Sequence, residues 1–491
     1  MIPISRGVAT LFSMRFCRRT PLIQLCGAEK WDSPVVRLCT TVAAKGENPE
    51  EVPEKPKRKR KIRKPDNVTA QKEFHTFFQT DKQKSILNRF PEKYYQKKTV
   101  SPNHFYCVDE SVAEVIAKRV SEASLSNCPI VEMNPGCGIV TKELLKLGNR
   151  KIHLFEADEA FKHYLQDIVE GNEEMTLKYY DLTRLDKLAF QDKLDNGNRV
   201  QTLLREKLPT KEWTEEPNVR IVGTIGGKTF FKGLVNSIIY QNGLLTYGRC
   251  EMFLVVPPPV YISLTCARDA GYLVYRYLTV LFQIFFEYEF IQKVPRKSFL
   301  PWQNDYNPAK YKKLLKVNSV DSDYLYLVRI VPRREAYELC PLEDMQALWF
   351  FVKQNMISRT NRIIPSMEKY VPYCGLRLIS HMGGSMECRE QEKPASAELP
   401  PLVQPCRHIS RTDHHRDMNI FTQFGDLTPA EMLSLFYQFR NWPEYKQSPF
   451  LSLVENNLLK MFIAQDGNAD EAETFEKSQA EDGGSDNASR L

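Results

Sequence analysis

The run VEMNPGCGIVT, residues 131–141, constrains the fold more than any other part of the chain. An apolar strand-like stretch passes into a turn with two glycines, and a helical pattern starts directly after it. Gly136 and Gly138 permit backbone dihedrals closed to other residues and let a ligand approach the main chain. The unpaired N–H groups of the following helix start then face whatever occupies the turn. Twenty residues after Gly136 stands Glu156, at the end of a second strand-like run, KIHLFEAD. A carboxylate there can accept both hydroxyls of a ribose. Asp181 closes a third run, MTLKYYD, where it can accept the exocyclic amine of an adenine. Strand, glycine turn, helix, strand with Glu, strand with Asp is the order of a nucleotide-binding half-sheet.

Two cofactor classes fit that order, dinucleotides and S-adenosylmethionine. The third glycine of the dinucleotide fingerprint would fall on Thr141, which is not small enough. That favours S-adenosylmethionine, and Glu132, just before the turn, is placed for its methionine ammonium. A doubly wound sheet that has lost its ligand is the bland alternative, because a fold does not by itself imply a function.

The surrounding pattern supports a sheet. VDESVAEVIAKRV predicts a helix with Asp109 as N-cap and Val112, Val115, Ile116 and Val120 on one face. VRIVG and EMFLVVP read as buried strands, with a helix around 232–242 between them. Residues 270–288 place Leu273, Val274, Tyr277, Leu278, Leu281, Phe282 and Phe285 at helical spacing, a wide stripe for packing on a sheet. EFIQKVP and YLYLVRIVP follow as strands without a clear helix between them, which predicts an antiparallel hairpin at one edge. After residue 335 the pattern turns helical. PLEDMQALWFFVKQNM carries Met345, Leu348, Trp349 and Val352 on one face, and TPAEMLSLF has a capping box, Thr428 with Glu431, and Pro429 at the first helical position. The expected architecture is α/β: a Rossmann-like sheet of the S-adenosylmethionine-dependent methyltransferase type over 73–335, with an antiparallel edge hairpin. A small helical domain follows over 336–464, with a loop insert at 381–418.

Of 491 residues 42% are hydrophobic, enough for a real core, so wholesale disorder is excluded. The most membrane-like run, from Leu273, contains Arg276, Glu287 and Glu289, which argues against a span. Twelve cysteines without a CxxC pair are too sparse for a disulfide scaffold and suggest reduced thiols. Cys388, Cys406, His408, His414 and His415 in the insert match no zinc-finger spacing, so no metal is expected there. Cys137 reads as a small residue needed inside the turn, and no G-x-S-x-G elbow is present.

The net charge of +7 is unevenly spread. Residues 1–28 carry four arginines and no acid, among Ser, Thr and apolar residues. These are the traits of a mitochondrial transit peptide, expected within 1–45, which directs the mature chain to the matrix. The stretch 46–72 reads as a disordered arm whose block KPKRKRKIRK, with Lys57, Arg58, Lys59, Arg60 and Lys61, suits phosphate contact without sequence preference. A solvated linker is its plainer reading. The tail 465–491 holds eight acids against two bases and reads as disordered.

These motifs together resemble the ribosomal-RNA adenine dimethyltransferases, and within them the mitochondrial branch, the mitochondrial transcription factors B. NHFYCVDESVAEVIA at 103–117 is similar to the family's GQ-x-F-L-x-D entry. VEMNPGCGIVT resembles E-x-x-PG-x-G-x-LT, FEAD the acidic ribose motif, and YYDLTRLD the adenine-contacting segment. KEWTEEPNVRIVG is similar to a W-T-x-x-(I)P segment of the second mitochondrial paralogue. PWQ, IVPR and TPAEMLSLF follow in the expected order, so the likeness spans roughly 75–460. It implies cofactor contacts at Asn103 (in place of the entry Gln), Glu132, Gly136, Gly138, Glu156 and Asp181.

The departures carry as much weight. Active members end their fourth strand in N-[LI]-P-Y, whose Asn and Tyr hold the target adenine. Here the segment is Thr224, Ile225, Gly226 and Gly227, with Phe230 and Phe231 a little further on. Loss of a stacking ring removes roughly 1–3 kcal/mol per base and should impair positioning of a flipped adenine. The resemblance therefore implies a sheet able to hold S-adenosylmethionine but a poor methylase. It also implies binding to a mitochondrial RNA polymerase and to promoter DNA at the nucleoid, as a transcription initiation factor. An active small-subunit ribosomal RNA adenine dimethyltransferase is the alternative, and a catalytically dead ribosome-assembly factor a third. Candidate nucleic-acid contacts beyond the basic arm are Arg329, Arg333, Arg334, Arg359, Arg362, Lys93, Lys97 and Lys98, each otherwise an ordinary solvated charge.

Overall fold

The structure, a computed structural model, describes residues 76–95, 104–122, 128–204, 208–270, 274–302, 321–380, 408–411 and 418–466. All of these fall within one compact unit, 65–491. The expected transit segment, the arm with Lys57–Lys61, Lys97, Lys98, Asn103, most of the insert and the acidic tail lie outside the described residues.

Nine strands are described: β1 Tyr106–Cys107, β2 Ile130–Met133, β3 Ile152–Phe155, β4 Thr176–Lys178, β5 Val219–Thr224, β6 Cys250–Val256, β7 Phe286–Pro295, β8 Phe299–Leu300 and β9 Tyr324–Pro332. Seven of them form one sheet in the order β4-β3-β2-β5-β6-β9-β7, and β1 pairs with β8 in a separate antiparallel ribbon. Strands β2 to β6 run parallel, because each is joined to the next through a helical crossover. β9 alone runs against both neighbours, so the expected edge hairpin is β7 with β9, and β9 inserts between β6 and β7. Every residue of β2, β5 and β6 is buried, as expected of central strands covered on both faces.

Side chains alternate between two cores. Ile130, Leu154, Val222 and Val255 join the core beneath the helices Glu110–Glu122 and Ile139–Lys146. Val131, Phe155, Ile221 and Leu254 join the other, beneath Thr229–Tyr240 and Tyr277–Phe285. Asp109 caps the first helix as its position predicts, its Oδ1 accepting from the Ser111 N–H at 3.0 Å and hydroxyl at 2.7 Å. At the other end of that helix the buried Arg220 guanidinium donates to the Val120 carbonyl at 3.1 Å, a cation against the negative helix terminus.

The stretch 270–288 is not one helix. The helix Tyr277–Phe285 stops where β7 begins, at Phe286. From there Phe286 and Tyr288 are buried while Glu287 and Glu289 are exposed, so the period changes from 3.6 to 2. Phe282 still lies stacked on Phe286 at 5.0 Å, which carries the apolar stripe across the change.

The helices after residue 335 continue the second core. Phe351 of Leu342–Asn355 packs on Phe436 at 5.6 Å and Phe424 at 5.9 Å, Trp349 on Tyr240 at 6.0 Å, and the Tyr275 hydroxyl donates to the Leu427 carbonyl at 2.7 Å. The capping box is present: Glu431 N–H donates to the Thr428 hydroxyl at 3.2 Å and Thr428 N–H to the Glu431 carboxylate at 2.7 Å. Among the described residues no helix is long and apolar enough to cross a membrane, no cluster could hold a metal ion, and all seven cysteines are free.

Candidate cofactor and nucleic-acid site

β2 delivers Glu132 to the C-terminal edge of the sheet, and the chain then turns through Asn134, Gly136 and Gly138 at φ of 51°, 61° and 74°. Open sheets bind their ligands at this edge. A Cβ on Gly136 would sit 2.7 Å from the Tyr106 ring, and one on Gly138 2.5 Å from Ile168 Cδ1. Gly136→Ala should therefore cost about 1–2 kcal/mol in left-handed strain and about 1–3 kcal/mol more in overpacking. Gly148→Ala, also at positive φ but with open space around the new Cβ, should cost only the strain. Denaturant midpoints of the two variants compare the terms; equal losses would remove the packing part of the argument.

Three carboxylates line the edge. Glu132 is buried and accepts from the Thr141 hydroxyl at 2.7 Å; burial pushes its pKa up to about 7 against that bond. Thr141, the residue too large for a third fingerprint glycine, is thus a hydrogen-bond partner of the acid before the turn. Glu156 is fully buried. Its Oε2 accepts the Gly136 N–H at 2.8 Å, and its Oε1 accepts the Asp158 N–H at 2.8 Å and the Tyr106 hydroxyl at 3.3 Å. Burial again dominates and lifts its pKa to about 7. Asp181 differs. Burial raises its pKa, but hydrogen bonds from His104 and Thr183 outweigh this and hold it at about 2. The Thr183 hydroxyl donates to Asp181 Oδ1 at 2.6 Å, and His104 Nε2 lies 3.2 Å from Oδ2.

His104 also has its Nδ1 3.1 Å from the Asn134 amide nitrogen. The Asn134 carbonyl accepts the Ala157 N–H at 3.2 Å, so its NH2 is the group facing the ring. That fixes Nδ1 as acceptor and leaves Nε2 as the donor to Asp181. Among the described entry-motif residues, His104 reaches Asp181 and Tyr106, two positions on, reaches Glu156.

The segment in place of N-[LI]-P-Y is built differently from a base clamp. The Thr224 hydroxyl accepts the Phe105 N–H at 3.0 Å and donates to the Phe105 carbonyl, so it holds the entry segment rather than facing outward. Ile225 is buried, and Gly226 and Gly227 carry no ring. A Cβ on Gly227 would meet nothing within 4 Å, so that place is open. Phe230 and Phe231 do not fill it. Both are core residues, and Phe231 packs edge-on against Phe282 at 6.0 Å.

The cationic candidates divide. Arg333 is 4% exposed and donates to the Gln283 carbonyl, with Glu287 and Glu335 beside it, so it leaves the set of surface cations. Arg329 donates to the buried Glu251 at 2.5 Å. Lys93 pairs with Asp158. Arg359 donates to the Gly425 carbonyl at 3.0 Å, whereas Arg362 lies over the exposed Phe421 ring at 5.2 Å. Arg334 is exposed.

A parallel sheet with one antiparallel strand next to its edge, a glycine turn after the first strand, and acids at the ends of the next two define a Rossmann-like methyltransferase. The chain belongs to the ribosomal RNA adenine dimethylase family, whose model matches residues 96–391. It is 42% identical over 408 residues to dimethyladenosine transferase 2, mitochondrial, of Drosophila melanogaster, covering 82% of this chain and 88% of that one. It is 21% identical over 289 residues to the protein of the same name from Homo sapiens, covering 57% and 71%. Among solved structures it is similar to a dimethyladenosine transferase from Plasmodium falciparum, at 12% identity, covering 66% and 95%, with a TM-score of 0.37.

The cofactor of this family is S-adenosylmethionine, which supplies an electrophilic methyl group when bound. The donor set here fits it. Glu132, Glu156 and Asp181 stand at consecutive strand ends around the Gly136 turn, and Glu132 carries an unusually basic carboxylate for an ammonium. In the structure described, Glu156 and Asp181 are already partnered by Tyr106 and His104.

Proposed function

We propose that this chain acts in the mitochondrial nucleoid as a transcription initiation factor that helps the mitochondrial RNA polymerase melt promoter DNA. It does so on a methyltransferase sheet whose target-base clamp is lost. The observation that supports the reading most is the segment Thr224–Gly227: a hydroxyl turned inward onto Phe105, and no ring where a base would stack. Without the stack and the polar clamp a flipped adenine has little to hold it. A factor of this kind needs cations and exposed aromatic faces for unpaired strands, and Arg334, Arg362 with Phe421, and the basic arm are the candidates.

The second reading is an active adenine dimethyltransferase of small-subunit ribosomal RNA. The intact acids at the ends of β2, β3 and β4 favour it. Purified full chain should stimulate the mitochondrial polymerase on a linear promoter template, and should leave small-subunit RNA with S-adenosylmethionine at background dimethyladenosine. Glu156→Gln should leave the stimulation unchanged. Robust methyl transfer would exchange the first reading for the second, and no stimulation on linear and pre-melted templates alike would overturn the first.

A further inference from the structure

Two short segments reach the edge where the adenosine part of the cofactor belongs, residues 92–95 and 104–107. Three consecutive residues of the second segment are each tied to a group of the site. His104 bonds Asp181, Phe105 is held through both backbone groups by Thr224, and Tyr106 bonds Glu156. The Tyr106 ring also lies on the Gly136 turn, where even one added carbon would collide with it. The first segment latches the second. The Tyr94 hydroxyl lies 3.4 Å from that of Tyr106 and donates to Asp158 at 2.5 Å, and Lys93 pairs with the same carboxylate. The Tyr94 and Tyr106 rings meet edge-on at 5.0 Å, and Phe161 packs on both, 5.0 Å from Tyr106 and 5.8 Å from Tyr94. Glu156 is left with no exposed surface.

We propose that His104 and Tyr106 form an intramolecular lid that occupies the adenosine-binding carboxylates, Asp181 and Glu156, so that S-adenosylmethionine binds only by displacing them. The proposal rests on reading this edge as the cofactor pocket. An imidazole N–H on Asp181 stands in for the exocyclic amine of adenine, and a phenol O–H on Glu156 for a ribose hydroxyl. Each is the same donor type on the same acceptor. Because the ligand must first break these contacts, its apparent affinity falls by the fraction of molecules whose lid is open. Thr224, at the position of the lost base clamp, helps hold the lid down together with the pairing of β1 with β8, so the residue that replaces the clamp also helps close the pocket.

The test is calorimetric binding of S-adenosylmethionine and of S-adenosylhomocysteine to the full chain. The forms compared are wild type, His104→Ala, the pair Tyr94→Phe with Tyr106→Phe, and that pair combined with Glu156→Gln. Melting temperature reports whether each variant is folded, and the phenylalanines keep the packing of the rings. The expected result is binding at least about tenfold tighter in the His104 variant and in the tyrosine pair than in wild type. Adding Glu156→Gln should then lose that gain. Hydrogen exchange of residues 104–107 in wild type should quicken on saturation with cofactor, as the Phe105 N–H leaves Thr224. Folded variants that bind no tighter than wild type, or slower exchange at 104–107, overturn the lid while leaving the pocket in place. A gain that survives Glu156→Gln overturns the pocket reading, and with it the lid. Absence of binding in every form overturns both.

Discussion

Replacing Glu251 by alanine is expected to destabilise the fold by about 3–5 kcal/mol, the usual cost of leaving a buried charge without its partner. Glu251 sits on β6 between Arg220 of β5 and Arg329 of β9, and it is 3% exposed. Its Oε1 accepts from Arg329 at 2.5 Å, and its Oε2 lies 3.8 Å from Arg220 Nε. The two arginines would respond differently. Arg329 is partly exposed and has Glu289 at 3.9 Å, so it can turn toward solvent. Arg220 is 3% exposed, inside the sheet under the helix it caps, and its bond to the Val120 carbonyl holds it there, so it cannot turn toward solvent in the same way. The pair Arg220→Met with Glu251→Met should recover most of the loss, since apolar residues of similar volume replace a buried ion pair at little cost. Chemical denaturation of the three forms, followed by circular dichroism, gives the comparison. A single variant within 1 kcal/mol of wild type would show that Arg220 reaches water.

What could be read in the sequence, and what could not, follows from the range of each interaction. The glycine turn, Glu132, Glu156 and Asp181 were legible because a strand end, a tight turn and a helix start are local patterns with fixed spacing. The strands were legible where alternation or an apolar run was strong. The start of β7 was not, because Phe282, Phe285 and Phe286 satisfy a helical stripe and a strand face equally, and only the buried Tyr288 after the exposed Glu287 separates them. The partners of the carboxylates were also hidden. His104 and Asp181 are 77 positions apart, and nothing local to either says that they meet. Arg333 illustrates the same limit from the other side. An arginine near a strand end is by default a solvated charge, and here tertiary packing places it under the Gln283 carbonyl instead.

Stability should fall as pH rises from about 5 to about 7.5, with the two buried glutamates of the cofactor edge as the cause. An acid whose folded pKa lies above its unfolded value keeps its proton in the folded chain where the unfolded chain has lost it. Its stabilising contribution is thus complete below the unfolded pKa and disappears as pH climbs through the folded one. Glu132 and Glu156 both move from 4.5 to about 7, chiefly through burial. At about 1.4 kcal/mol per pKa unit each represents about 3 kcal/mol. The charge on Glu156 adds to the rise of Glu132, so the two are coupled. Asp181, held at about 2, works in the opposite direction, but its window lies below pH 4 and does not overlap. Melting temperature across this range should therefore decline toward neutral pH and level off above it. Glu132→Gln keeps an acceptor for the Thr141 hydroxyl and removes the charge, so it should flatten the decline and raise the melting temperature at pH 8. An unchanged slope in that variant would assign the effect to other groups. An ammonium placed beside Glu132 would draw its pKa back down, so the decline should shrink in the presence of a cationic ligand that binds this edge.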